Sequence, residues 1–147
     1  MSAFNFRLQK VLDMKLKEEE EIKIKLQREL NNKKNTEEVL NNCKLEKEKS
    51  MYDFAESILE KKIKLNYIYR LDGKIQVCKS NLNKIEEAIS GIRTELVECT
   101  KELKAMEKLK DKKYQEYMSE INRIEQIQND EFALSSFIKR INLEEVN

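Results

Sequence analysis

Apolar residues recur along this chain at alternating steps of three and four, the spacing that lines them up on one side of an α-helix. The clearest run is Leu71, Ile75, Cys78, Leu82, Ile85, Ile89, Ile92, Leu96, Cys99, Leu103 and Met106, without interruption. It weakens at Lys110 and Lys113 and resumes with Tyr117, Ile124 and Ile127. Sustained over several heptads, such a row is the seam of a coiled coil. Counting sevens from Leu12 yields a seam in the first half: Leu12, Leu16, Leu26, Leu30, Leu40, Met51, Phe54, Ile58, Leu65 and Ile68. Its intervening positions are Glu19, Lys23, Lys33, Glu37, Lys44, Lys47 and Lys61, so this arm is expected to be a loose partner. Glu19 with Lys23, Glu21 with Lys25 and Glu29 with Lys33 lie four apart in the favoured order, each adding about 0.2–0.5 kcal/mol to the helix. The pattern predicts an all-α fold, a long antiparallel two-helix coiled-coil hairpin, rod-like, with residues 1–147 as a single domain.

Two places compete for the turn. The seams fall out of step by one residue between Ile68 and Leu71, and Asp72-Gly73 is the nearest turn-like dipeptide. Backbone chemistry alone favours it. The other candidate is YDFAES, residues 52–57, where Ser57 and Glu60 have the spacing of a capping box. A turn at about 54–57 gives helices over about 4–53 and 58–140. Ser90-Gly91 interrupts no periodicity and reads as a weak spot within a helix.

Composition narrows the picture further. Charged residues make up 39% of the chain and aromatics 7%, with two glycines and no proline, so few turns and few, long elements are expected. The 29 basic and 28 acidic residues nearly cancel, leaving +1 and no broad field to collect nucleic acid. No stretch approaches the roughly 20 apolar residues of a membrane span, and a cytosolic protein is expected. Histidine is absent, no Gly-rich phosphate loop exists, and the acidic run from Glu18 to Glu21 lacks a pocket, which argues against an enzyme. Cys43, Cys78 and Cys99 are odd in number and widely separated, the pattern of small apolar fillers rather than ligands. No metal or cofactor is implied. The cluster Lys108, Lys110, Lys112 and Lys113 is interrupted by Glu107 and Asp111 and reads as a solvated face.

One stretch departs from a simple coiled coil. Ile58, Leu65 and Ile68 follow the first seam, while Leu59, Ile63, Tyr67 and Leu71 form a second row at steps of four. A single partner helix cannot cover both, so one row is a candidate docking surface.

The opening FNFRLQKVLDMKLKEEEE, with its aromatic-basic-apolar lead into a charged helix, resembles the start of the flagellar export protein FliJ family. YIYRLDGKI at 67–75 is similar to that family's aromatic-x-x-x-Leu segment, and KELKAMEKLKDKKYQEY at 101–117 and NDEFALSSFIKR at 129–140 resemble its C-terminal part. The likeness runs in order over nearly the whole chain. It implies an antiparallel two-helix coiled coil, similar to the central stalk of rotary ATPases, that couples and stimulates rather than catalyses. The partners so implied are the hexameric flagellar export ATPase, the cytoplasmic domain of the membrane export gate, and export substrate chaperones. The resemblance places the turn before the YIYRL-like segment, at 52–57, and points to Tyr67 and Leu71 as gate-binding residues. Phe4, Phe6 and Arg7, joined by Phe132 and Phe137 where the chain folds back, are the implied ATPase-binding end. The location implied is the cytoplasm, peripheral to the membrane through the export apparatus. A structural coiled-coil tether or homodimeric scaffold with no ATPase partner is the alternative.

Overall fold

In the computed structural model residues 3–144 are described, with side chains as far as Ile141; the span 1–147 expected above runs past them at both ends. The chain forms two α-helices, α1 over Gln9–Tyr52 and α2 over Ile58–Glu144, of 44 and 87 residues. Their packing divides into two units where one domain is expected: Lys15–Lys101, and the described residues of 1–14 with those of 102–147.

In the unit Lys15–Lys101 the helices pack antiparallel. Glu19 meets Thr100 at 3.0 Å, Lys33 meets Glu86 at 2.9 Å, and Lys47 meets Asp72 at 2.6 Å, partner numbers falling on α2 as they rise on α1. On α2 the residues turned inward are Leu71, Ile75, Cys78, Leu82, Ile85, Ile89, Ile92, Leu96 and Cys99, the expected seam. On α1 the inward row is Lys15, Glu19, Ile22, Leu26, Glu29, Lys33, Thr36, Leu40, Cys43, Lys47 and Ser50. Every second position of the expected first seam is therefore displaced by one residue, except at Leu30, which stays half-buried beside Glu29. Leu16, Lys23, Glu37, Lys44 and Met51 are exposed, while Ile22, at 2% exposure, and Cys43 are buried. The physical reason is that the phase of α1 is set by the apolar ridge of α2. Ile22 and Cys43 are buried against that ridge, while Leu16 is left exposed.

Polar residues inside this seam are handled by their neighbours. Lys33 and Lys47 bury their stems and reach Glu86 and Asp72 across the interface, so the seam carries no lone charge at either place. The Glu86 hydrogen bond and charge raise the pKa of Lys33 above its ordinary value. A small cluster of Leu40, Cys43, Leu71 and Ile75, with Cys78 and Leu82 packed against it, forms the apolar centre near the turn.

The connection is residues 53–57. At its start the Asp53 amide donates to the Lys49 carbonyl at 3.1 Å, and the Lys64 amine donates to the Asp53 carbonyl. At its end Ser57 and Glu60 form the capping box: the Glu60 amide donates to Ser57 Oγ at 3.1 Å, and Glu60 Oε2 accepts from the amides of Ser57 at 3.3 Å and Glu56 at 3.0 Å. No described residue has a positive φ, so a five-residue connection of this width needs no glycine. Asp72-Gly73, the turn that backbone chemistry favoured, is instead helical within α2. Leu71 and Ile75 on either side are held in the core and Asp72 is paired with Lys47, and these contacts outweigh the modest cost of a helical glycine.

In the other unit α1 begins at Gln9, not at about residue 4. The Gln9 amide donates to the Phe6 carbonyl at 2.9 Å and the Leu12 amide to Leu8 at 3.0 Å, marking the first turn. Residues 3–6 lie outside the helix because Phe4 and Phe6 turn onto α2. Phe6, Leu12 and Leu103 are buried there. Beyond Ile121, every side chain from 122 to 141 is exposed.

Candidate functional site

The two groups of residues singled out in the sequence stand on different units. The first is the row near the turn. Tyr67 is 44% exposed and its hydroxyl donates to Glu46 Oε2 at 3.1 Å across the hairpin. That hydrogen bond, then burial and the Glu46 charge, raise its pKa. The phenol is held by α1 with part of its ring open to solvent. Leu71, one turn further on, is 2% exposed and belongs to the core with Leu40, Cys43 and Ile75. The two side chains are not brought together on one surface. A Leu at this seam position is already enclosed by the hairpin, so a partner cannot grip it without opening α1 from α2.

What accompanies Tyr67 on the outside is Leu59 and Ile63, both exposed at steps of four before it. Ile63, Lys64 and Tyr67 line a groove together with Ser50 and Phe54. Tyr52, Phe54 and Ile58 at the connection are among the most exposed apolar residues of the chain. The sequence signalled Leu59 and Ile63 through their row. Tyr52 gave no such signal, since only the placement of the connection turns it outward.

The second group is on the unit that contains the N-terminal segment. Phe4 packs edge-on to Tyr114, with centroids 5.3 Å apart and planes at 79°, and lies 5.5 Å from Tyr117 at 48°. Such edge and tilted contacts suit the ring quadrupoles and add about 0.5–1.5 kcal/mol to the area buried. Phe6 is 7% exposed, and Arg7 is exposed beside it. Phe4, Phe6, Arg7, Leu109, Lys113 and Tyr117 line a groove of about 700 Å³. Phe132 and Phe137 are 73% and 61% exposed. Phe132 stands fifteen residues past Tyr117, roughly 22 Å along α2, so neither phenylalanine joins Phe4, Phe6 and Arg7. Tyr114 had no place in the expected seam, and its contact with Phe4 spans more than a hundred residues of sequence.

Charge around this end is locally compensated. Lys113 pairs with Glu116 at 2.6 Å and Arg123 with Glu120 at 2.8 Å. Lys113 and Arg123 hold the carboxyls of Glu116 and Glu120 below the ordinary carboxylate range. Among the described residues no group of three or more His, Cys, Asp or Glu is arranged to hold a metal, and no helix is long and apolar enough to cross a membrane. Cys43 and Cys99 are buried and Cys78 half-buried, all three as free thiols.

No curated protein and no solved structure matches the chain. The family model described as flagellar FliJ protein does, over residues 4–142. Nearly the whole sequence is covered, and the packed helices are those of the two-helix fold expected from the resemblance. The chain belongs to the flagellar FliJ protein family.

Proposed function

We propose that this chain is the coupling stalk of a flagellar type III export apparatus, bound to the export ATPase ring on one side and to the membrane export gate on the other. Members of the FliJ family are not enzymes. The observation that carries the reading is the family match over residues 4–142 on a chain built of two antiparallel helices. A stalk of this kind transmits contact between partners, and exposed aromatic and Arg side chains are the usual anchors of such contacts.

The ATPase contact is assigned to Arg7, Phe132 and Phe137, with Phe4 and Phe6 fixing the N-terminal segment in place on α2. The gate contact is assigned to Tyr67, with Leu71 supporting it from within the hairpin. Export substrate chaperones are further partners. The protein works in the cytoplasm, peripheral to the membrane through these partners.

Co-purification with the cognate export ATPase and with the cytoplasmic domain of the gate tests the reading. Both should be retained by the wild-type chain, and Tyr67→Ala should lose the gate domain while keeping the ATPase. Retention of neither partner by the wild type would refute the stalk function. Normal gate binding by Tyr67→Ala would remove the gate assignment alone.

A further inference from the structure

The groove between the N-terminal segment and α2 stands apart by its charge. Its floor is apolar: Phe6 is buried, Phe4 and Tyr117 are half-buried, and Leu109 is exposed. Arg7 and Lys113 line it, and no acidic residue does. By contrast, the groove along Lys33 and Arg93 also carries Glu86 and Glu98, and the one beside Lys64 carries Asp53 and Glu60.

The two cations differ in what they already hold. Lys113 is engaged by Glu116 at 2.6 Å, whereas no ion pair among the described residues uses Arg7. A free guanidinium beside an apolar floor takes a carboxylate by a two-pronged contact, while the floor takes a large side chain. The groove measures about 700 Å³, within the roughly 300–1,000 Å³ of a cleft that encloses a small ligand. A polyanion fits less well. Glu116 and Glu120 follow Lys113 on α2, and a nucleic-acid backbone brings its charges in a row. A bilayer is flat and does not reach the buried ring of Phe6.

We propose that this groove binds an acidic peptide segment of a partner protein, with a large apolar side chain entering against Phe4, Phe6 and Leu109 and a neighbouring carboxylate paired with Arg7. The site deepens the ATPase contact assigned to Arg7, and it rests on that reading only for which protein supplies the segment.

Fluorescence anisotropy of a labelled Asp-Glu-Phe-Leu-Glu-Asp peptide, titrated with the full-length chain, is the test. Lys-Lys-Phe-Leu-Lys-Lys and Asp-Glu-Ser-Ser-Glu-Asp are the comparisons. The wild-type chain should bind the first about tenfold more tightly than either of the others, and less tightly as salt rises. Leu109→Gln should weaken it. Arg7→Glu should reverse the order of the two Phe-Leu peptides with helix content unchanged, because Arg7 is exposed and precedes α1. Mere loosening of the N-terminal segment does not produce a reversal. No binding of the acidic peptide, equal binding of both Phe-Leu peptides, or an acidic peptide held as well by Arg7→Glu overturns the proposal. Binding of phosphatidylglycerol vesicles in place of the peptide overturns it in favour of a lipid headgroup. All of this is read without the ATPase, so a chain that binds the peptide yet leaves ATP turnover unchanged keeps the groove and loses only the export reading.

Discussion

Tyr67 and Leu71 share a helix face by spacing and differ in what they do. Leu71 is enclosed by the hairpin core, so Leu71→Ala should destabilise the protein by about 2–4 kcal/mol, as large-to-small core changes do. Tyr67→Ala removes one hydrogen bond to Glu46 and a half-exposed ring, and thermal melts should show much the smaller loss. Equal destabilisation by the two would contradict the burial of Leu71. The ion pairs at the other end make a second residue-level statement. Glu116 and Glu120 have pKa values depressed below the ordinary 4.5 by Lys113 and Arg123. Their contribution is present above the unfolded value and is lost as pH falls through the folded one. Carboxyl NMR should find both titrating low, with Glu120 returning to its ordinary value in Arg123→Met. No change in that variant would disprove the pairing.

The two helices were legible in the sequence to different degrees. On α2 the seam from Leu71 to Met106 is apolar at every position, so its phase is written in the residues themselves. On α1 the inward row contains Lys15, Glu19, Glu29, Lys33, Thr36 and Lys47, and an apolar count drawn to Leu16 misses Ile22 and Cys43. The phase of that helix comes from its partner, which no count along α1 alone can supply. The capping box of Ser57 and Glu60 was readable because it is local. The place of Phe4 was not, because Tyr114 lies far away in sequence. Asp72-Gly73 misleads for a related reason: turn propensity is weak against Leu71 and Ile75 in the core. Gly73 and Gly91 are both helical, and a Cβ at either meets nothing within 4 Å. Gly73→Ala and Gly91→Ala should each stabilise the protein by about 0.5–1 kcal/mol, seen as a higher melting temperature. Destabilisation by Gly73→Ala would mean that α2 is not continuous there.

Across the molecule, stability should be unevenly spread. The unit Lys15–Lys101 holds Ile22, Leu40, Leu71, Ile75 and Ile89 in its core, whereas residues 122–141 bury nothing. Amide hydrogen exchange should therefore be slowest around Leu40 and Ile75 and fast throughout 122–141 at low concentration, with a broad rather than sharp thermal melt. Uniform protection along α2 would show that some partner covers its far end even in dilute protein. A segment that is helical yet uncovered leaves apolar side chains open to a partner, as the proposed coupling role requires.

That coupling is most directly tested by measuring ATP turnover of the cognate export ATPase as this chain is titrated in, beside a version lacking residues 1–8 whose helix content and melting are followed in parallel. The full chain should raise turnover, and the shortened one should raise it less because Arg7 and the Phe4 contact with Tyr114 are gone. Turnover that does not respond to the full chain at saturating concentration would contradict the stalk function.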